Sequence, residues 1–358
     1  MKAKNQLFIH PTDKCGMKCE FCIYSDRREK GVEFPHLDLD KGHARESLKN
    51  LIEGAEHTAF SGGGEPLLNI EAIEGAISTN PEKKYMITTG LGMSLEKIEE
   101  YFSRINDICV RDDSRCVIRI SVDSFHKNLE FTDDLKTVLG WFIDKRWERV
   151  RTCFLRGTVA EGKILLKNLK KYCRENKYMC FIKKVNKYTY AAIINKKFFQ
   201  VILRPTIYPT EEVLEKEETM LQYIDRMLKI DTEEIYLGKP RSCRGCKGCD
   251  SWKSGLPNGL DITVNAKGEV TLYGAEICVL ANIYDEIVTY ELLNERVNKI
   301  PEFKILHTHC VRDVMEAFLN DKKLGKITQK INYPFAVIRE EMKEHKEDVY
   351  RVIKNIKK

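Results

Sequence analysis

Short apolar runs alternate with longer amphipathic stretches through the first two hundred or so residues of the chain. The runs at residues 7–9, 57–61, 85–89, 117–122, 149–155 and 199–204 have the length and β-branched content of buried strands. Between them, helical spacing predicts helices over 39–55, 70–77, 94–105, 134–144 and 162–174. The first of these places Ala44, Leu48, Leu51 and Ile52 on one face, with Asp38 or Asp40 as its cap, and Ser94 caps the third. Six strands alternating with helices predict an α/β domain whose parallel sheet closes partway into a barrel, a partial (β/α)6 arrangement. Ligands of such sheets gather at the C-terminal strand ends. That rule singles out Thr88, Thr89, Gly90, Ser121, Asp123, Arg151, Arg156 and Arg204.

The alternation breaks at 181–199, where lysine-rich sequence predicts a hairpin inserted over the barrel mouth. Lys183, Lys184, Lys187, Lys196 and Lys197 interleave there with Tyr188 and Tyr190, either as a solvated face or as contacts to a phosphate backbone. A helix capped by Thr210 is expected over 210–229. Beyond Gly238 the chain turns Gly-, Ser- and Cys-rich, and a hairpin is then expected from strands 260–264 and 269–273 around Gly268. The remainder, 311–358, reads as helical, with 339–358 a charged surface helix. The pattern divides the chain into a barrel over 1–235, a small α+β domain over 236–320 and a helical tail over 321–358.

Composition changes this picture little. Hydrophobic content of 42% with 32% charged residues is that of an ordinary globular protein, and a net charge of +6 is mild for 358 residues. Neither argues for a nucleic-acid partner. No apolar run reaches the length of a membrane span or a secretion signal, so cytoplasmic residence is expected.

Cysteine changes it more. Thirteen are present, an odd number for a disulfide scaffold, and six fall in two tight triplets. Cys15, Cys19 and Cys22 follow the first strand at x3 and x2 spacing. With this cysteine content roughly 0.02 such triplets are expected by chance, so the spacing carries information. Three soft ligands on one loop suit an iron–sulfur cluster with one iron left open. A structural zinc site wants a fourth ligand, and no further cysteine follows for more than eighty residues. Cys109, Cys116, Cys153, Cys173 and Cys180 follow no ligand spacing and read as core thiols.

Cys15-x3-Cys19-x2-Cys22, with Phe21 before the third cysteine, resembles the signature of the radical S-adenosylmethionine (SAM) enzymes. The resemblance implies a [4Fe–4S] cluster whose open iron chelates SAM, and reductive cleavage of SAM to a 5′-deoxyadenosyl radical that takes hydrogen from a C–H bond. Gly62, Gly63, Gly64 and Glu65 match the family's GGE segment at the second strand end, whose backbone contacts the SAM amino group. Thr88, Thr89 and Gly90 stand where related enzymes read TNG. The ISVDSFH stretch resembles the fourth-strand segment that contacts SAM ribose and carboxylate, which implies Ser121 and Asp123; Arg156, singled out by its strand end, is either a further SAM contact or, like Arg151 and Arg204, a solvated strand end.

The second triplet, Cys243, Cys246 and Cys249, precedes the predicted hairpin, Cys278 follows it, and Cys310 lies further on. Cysteines on both sides of such a hairpin, followed by LANI, resemble the auxiliary-cluster extension called SPASM or its shorter form, twitch. Five cysteines suffice for one auxiliary [4Fe–4S] cluster, held by the triplet plus Cys278 or Cys310; a zinc knuckle is the alternative. His307 and His309 flank Cys310.

The resemblance implies an enzyme acting on a peptide or protein by oxidation or crosslinking, supplied with electrons by a flavodoxin or ferredoxin. With the first strand starting near residue 6, no leader-binding segment is expected ahead of it, which weighs against a leader-dependent peptide. The rivals are a radical SAM dehydrogenase or epimerase of a sugar, nucleotide or other small molecule, and, outside enzymes, an iron–sulfur electron carrier or an RNA-binding protein.

Overall fold

The computed structural model describes residues 5–17, 19, 34–144, 146–186, 189–204, 259–273, 275–301, 303–304, 311–328 and 344–356. They form a mixed α/β structure with a largely parallel sheet. The chain divides into two units that do not follow sequence order: Met1–Phe8, Asp40–Glu56 and Thr206–Lys358 form one, and Ile9–Leu39 with His57–Pro205 the other.

The second unit holds the alternating pattern. Its strands are β2 (Ala55–Phe60), β3 (Lys84–Thr89), β4 (Arg115–Ser121), β5 (Val150–Thr158), β6 (Cys180–Asn186), β7 (Thr189–Ile194) and β8 (Lys197–Arg204). They lie in the order β2-β3-β4-β5-β8-β7-β6. From β2 to β8 every neighbour is parallel, and β8, β7 and β6 then run antiparallel. The helices between parallel strands are α2 (Ile70–Thr79), α3 (Leu95–Arg111), α4 (Asp133–Ile143) and α5 (Gly162–Glu175). Alternate side chains leave a strand on opposite faces, so Tyr85 and Ile87 turn one way and Met86 and Thr88 the other. Tyr85 is buried, donates its hydroxyl to Asn80 O at 2.8 Å, and stacks on Phe60 at 6.0 Å. Phe102 of α3 meets Trp147 edge-on at 5.5 Å. Ser94 caps α3 as expected, its Oγ accepting from Lys97 N, and Thr132 caps α4 in the same way.

Three expectations in this unit are corrected. The lysine-rich segment forms a hairpin, but β7 pairs along β8, so it extends the sheet sideways rather than covering strand ends. β5 runs to Thr158, which leaves Arg151 at its start, exposed and bonded to Glu148 O at 3.1 Å. Arg151 therefore sits at the end of the strand away from the ligand side. The cap predicted at Asp38 or Asp40 belongs to the other unit's helix α1 (Ala44–Gly54), where His43 holds the N-cap position without a side-chain bond and Asp40 pairs with Arg45.

In the first unit β1 (Asn5–Ile9) begins beside a three-stranded meander of β9 (Asp261–Val264), β10 (Glu269–Leu272) and β11 (Ala275–Asn282). Gln6 N donates to Leu260 O and Asn5 Oδ1 accepts from Leu260 N. The β9–β10 turn is the predicted one, with Gly268 at φ +77° and Asn265 Oδ1 accepting from Lys267 and Glu269 N. Helix α1 buries Ala44, Leu48, Leu51 and Ile52 as its spacing predicts. Helices α6 (Tyr290–Lys299), α7 (Val311–Asn320), α8 (Leu324–Thr328) and α9 (Lys346–Lys354) follow. The expected charged surface helix is half right: α9 is charged on one side but buries Val349, Val352 and Ile353 on the other. The helix predicted over 210–229 lies outside the described residues.

No helix among the described residues is long and apolar enough to cross a membrane. Ser47 Oγ in α1 donates to Glu286 O and accepts from Val288 N at 3.0 Å, fixing the loop before α6. Ser47→Ala strands both backbone groups, and is expected to lower the urea midpoint by the equivalent of about 1–3 kcal/mol with an unchanged slope. An unaltered midpoint would show that water replaces the hydroxyl.

Candidate functional site

The cysteine-bearing segment leaves the end of β1 and is closed at its base. Residues 11–13 and 35–37 run antiparallel there: Asp13 N donates to Pro35 O and Leu37 N to Pro11 O, at 3.1 and 2.8 Å. Asn69, in the turn before α2, clamps both sides. Its Nδ2 donates to Pro11 O at 2.7 Å and to Leu37 O at 3.0 Å, and its Oδ1 caps α2 at Ala72 N. Between these fixed points, Met17 N points at Cys15 Sγ at 3.4 Å, and Cys19 is buried.

The end of β2 packs directly against this segment. Gly64 N donates to Thr12 O at 2.7 Å and Glu65 N to Lys14 O at 2.8 Å. A β-carbon at Gly64 would run into the Lys14 carbonyl, and one at Gly62, where φ is +88°, into the His10 ring. Gly64 is therefore required by the approach of two backbones, and Gly62 by its left-handed conformation. At the end of β3, Gly90 and Gly92 lie against the Met17 side chain in the same manner.

Glu65 is the buried charge of this arrangement. Its Oε2 accepts from Gly90 N at 3.0 Å, which ties the end of β2 to the end of β3, while Oε1 is buried with no partner among the described residues. Burial raises its pKa above the ordinary 4.5, opposed by the hydrogen bonds from Gly90 and Thr89 and by the nearby His126. Asn128 repeats the bridging one strand on, its Nδ2 donating to Gly90 O at 2.8 Å and Ser121 O at 3.3 Å. Asp123 Oδ1 lies 2.7 Å from His126 Nδ1 and accepts from His126 N at 2.9 Å. The carboxylate thus orients an imidazole toward Gly90.

The structure thus brings together Cys15, Cys19, Gly62, Gly63, Gly64, Glu65, Gly90, Ser121 and Asp123 within one unit. Thr88 belongs to the opposite face of β3 from Thr89, and its hydroxyl accepts from Arg119 Nη2 at 2.6 Å. Arg156 is in register with Ser121 on β4 and Ile202 on β8. Asn69, His126 and Asn128 were not singled out by sequence. The Asp-x-x-His spacing of residues 123–126 is the one local signal among them, since that offset lets an Asp side chain turn back on a following imidazole.

Phe21, Cys22, Cys243, Cys246, Cys249 and Cys310 lie outside the described residues, as do His307 and His309 and the side chains of Cys153 and Arg204. Cys278 belongs to the first unit, on β11, fully buried, and burial pushes its thiol well above the ordinary value. Cys109, Cys116 and Cys173 are the core thiols expected, and burial pushes Cys109 and Cys173 up to about 12. Among the described residues no group of three or more His, Cys, Asp or Glu has the geometry of a metal site. The described part of the first triplet fits a cluster by its chemistry: two thiols on one clamped loop, an amide directed at sulfur, and a side-chain-free cradle beside them.

No protein-family model matches this chain, and no curated protein matches it at a significant level.

Two measurements check this arrangement. Asn69→Ala leaves two buried carbonyls without their donor and uncaps α2, and is expected to cost about 2–3 kcal/mol in denaturant unfolding. A loss below about 0.5 kcal/mol would mean the clamp is dispensable. For Glu65, a raised folded-state pKa means that protonation favours the fold. That contribution is full below about pH 4.5 and is lost as pH rises through the folded value. Glu65→Gln copies the protonated form, so its melting temperature, measured on iron-free protein, should gain on wild type as pH rises. A gap that stays constant with pH would contradict the assignment.

Proposed function

We propose that this protein is a radical SAM enzyme that acts on a peptide or protein, with a partial (β/α)6 barrel. The observation carrying the proposal is the packing of the Cys15–Cys19 segment against the glycine run of β2 and the glycines after β3. Cys15, Cys19 and Cys22 would hold a [4Fe–4S] cluster. When bound and reduced, that cluster with SAM on its open iron supplies a 5′-deoxyadenosyl radical able to abstract hydrogen from carbon.

The chain's own residues then have definite tasks. The side-chain-free edge at Gly62, Gly63 and Gly64 would let a ligand's amino group approach the backbone closely. Glu65 holds the ends of β2 and β3 together through Gly90, so the edge keeps its position when a ligand arrives. Ser121 is in register with Arg156 on the neighbouring strand, and a hydroxyl and a guanidinium at paired positions would suit a carboxylate. Asp123 fixes the His126 ring, which lies against Gly90 at the end of β3. In the second part of the proposal, Cys243, Cys246 and Cys249 with Cys278 or Cys310 hold one auxiliary [4Fe–4S] cluster. A flavodoxin or ferredoxin supplies the electrons, in the cytoplasm.

Anaerobically reconstituted and reduced protein should convert SAM to 5′-deoxyadenosine and carry about eight irons, four per cluster. Replacing Cys15, Cys19 and Cys22 together by Ala should leave about four irons and no deoxyadenosine. Iron near four in unaltered protein would remove the auxiliary cluster. Iron-loaded, reduced protein that makes no deoxyadenosine would overturn the enzyme assignment, leaving an electron carrier or an RNA-binding protein.

A further inference from the structure

The lysine-rich hairpin has a feature that solvation does not explain. Among the described residues β6 ends the sheet of its unit, and every residue from Lys183 to Asn186 is exposed. Phe181, Ile193 and Phe198 are directly opposite one another across β6, β7 and β8, and are 60%, 45% and 57% exposed. Val185, further along β6, is 61% exposed. Three large apolar side chains aligned over about 10 Å of sheet form a continuous patch. Lysines on an edge strand are a common guard against aggregation, but a guard does not require an apolar row beside it, and such rows mark contact surfaces.

Charge narrows the occupant. From residue 162 to 197 there are eleven Lys or Arg and a single Glu, so this stretch alone exceeds the +6 of the entire chain. That Glu, Glu175, lies beside Lys171 at 3.8 Å. Lys183, Lys184 and Lys196 are exposed, and no ion pair is recorded for them among the described residues. The backbone narrows it again. Asn195 N donates to Met179 O at 2.9 Å, so in this register Met179, Phe181 and Lys183 direct their backbone groups at β7. Ile182 and Lys184 then present both N–H and C=O outward. An outer edge offering donors and acceptors in alternation matches another polypeptide backbone, whereas phosphates would use only the donors. Ile193, at the centre of the row, also lacks the flat face on which a base would stack.

We propose that β6 is the docking edge for an extended acidic segment of the polypeptide substrate, which adds to the sheet as a further strand. Its backbone pairs with Ile182 and Lys184, its carboxylates meet Lys184 on one face of the sheet, and its alternate apolar side chains cover Phe181 and Val185 on the other, where Lys183 also stands. This surface rests on the peptide-modifying reading above and extends it by naming the chemistry of the segment that is held.

The test is anisotropy of a fluorescein-labelled octapeptide of alternating Glu and Val, titrated with full-length protein. Saturable binding that weakens with added salt is expected, and Lys183→Glu with Lys184→Glu should weaken it by about tenfold or more. Lys184→Gln removes only the charge, while Lys184→Pro also removes an outward N–H, so the proline variant should bind more weakly than the glutamine one. Should the proline variant not fold by circular dichroism, a probe N-methylated at alternate residues makes the same comparison, and should bind more weakly than the parent. Equal affinity for a Lys–Val octapeptide, tighter binding of an octauridylate, or insensitivity to both the proline and the N-methyl changes would each overturn the proposal. Anisotropy does not depend on the clusters. Peptide binding without deoxyadenosine formation would sink the enzyme reading alone, and deoxyadenosine formation without peptide binding would sink this surface alone.

Discussion

Everything at the candidate site depends on two backbones coming within hydrogen-bonding distance with no side chain between them. Gly64 N on Thr12 O and Glu65 N on Lys14 O fix the end of β2 onto the segment that carries Cys15 and Cys19. A β-carbon at Gly63 would meet the Thr12 carbonyl and one at Gly64 the Lys14 carbonyl, so glycine at both is a steric requirement here. Asn69 closes the base of the same segment by holding two carbonyls that are far apart in sequence. The cysteine segment is thus positioned from both sides by hydrogen bonds to a strand end and to a helix cap.

Around this contact the polar groups form a chain of ties between strand ends. Glu65 joins β2 to β3 through Gly90, Asn128 joins β3 to β4 through Gly90 and Ser121, and Asp123 orients His126 toward Gly90. Each tie uses a buried or half-buried side chain whose removal leaves backbone groups unmatched. Gly90 is the common point. Such a rim is stiff enough to present small polar groups at fixed spacing, which is what recognition of a small cofactor demands.

The opposite margin of the same unit is built on other physics. β6 and β7 carry an apolar row and a concentration of lysines rather than a network of internal hydrogen bonds. Burial there is incomplete within the chain itself, and the outer backbone edge is a template for pairing. On the proposed readings, a rim of tied strand ends and a sheet margin left open among the described residues would suit different ligands: one compact and polar, the other extended and acidic.

The alternation of apolar runs determined the strands β2, β3, β4, β5 and β8 to within a few residues, because strand and helix periodicities are local properties. Local chemistry likewise settled the Ser94 cap and the Gly268 turn, whose partners lie within a few positions. What sequence could not determine was anything whose partner is distant along the chain. Asn69 meets Pro11 and Leu37, Asn128 meets Gly90, and Thr88 meets Arg119, at separations from 31 to 58 residues. For the same reason the hairpin at 181–199 was legible as a hairpin but not as a sheet edge, and α9 was legible as charged but not as half-buried. The direction in which a strand pairs, and the face a helix covers, are set by packing free energy summed over the whole unit, and only the tertiary structure decides them.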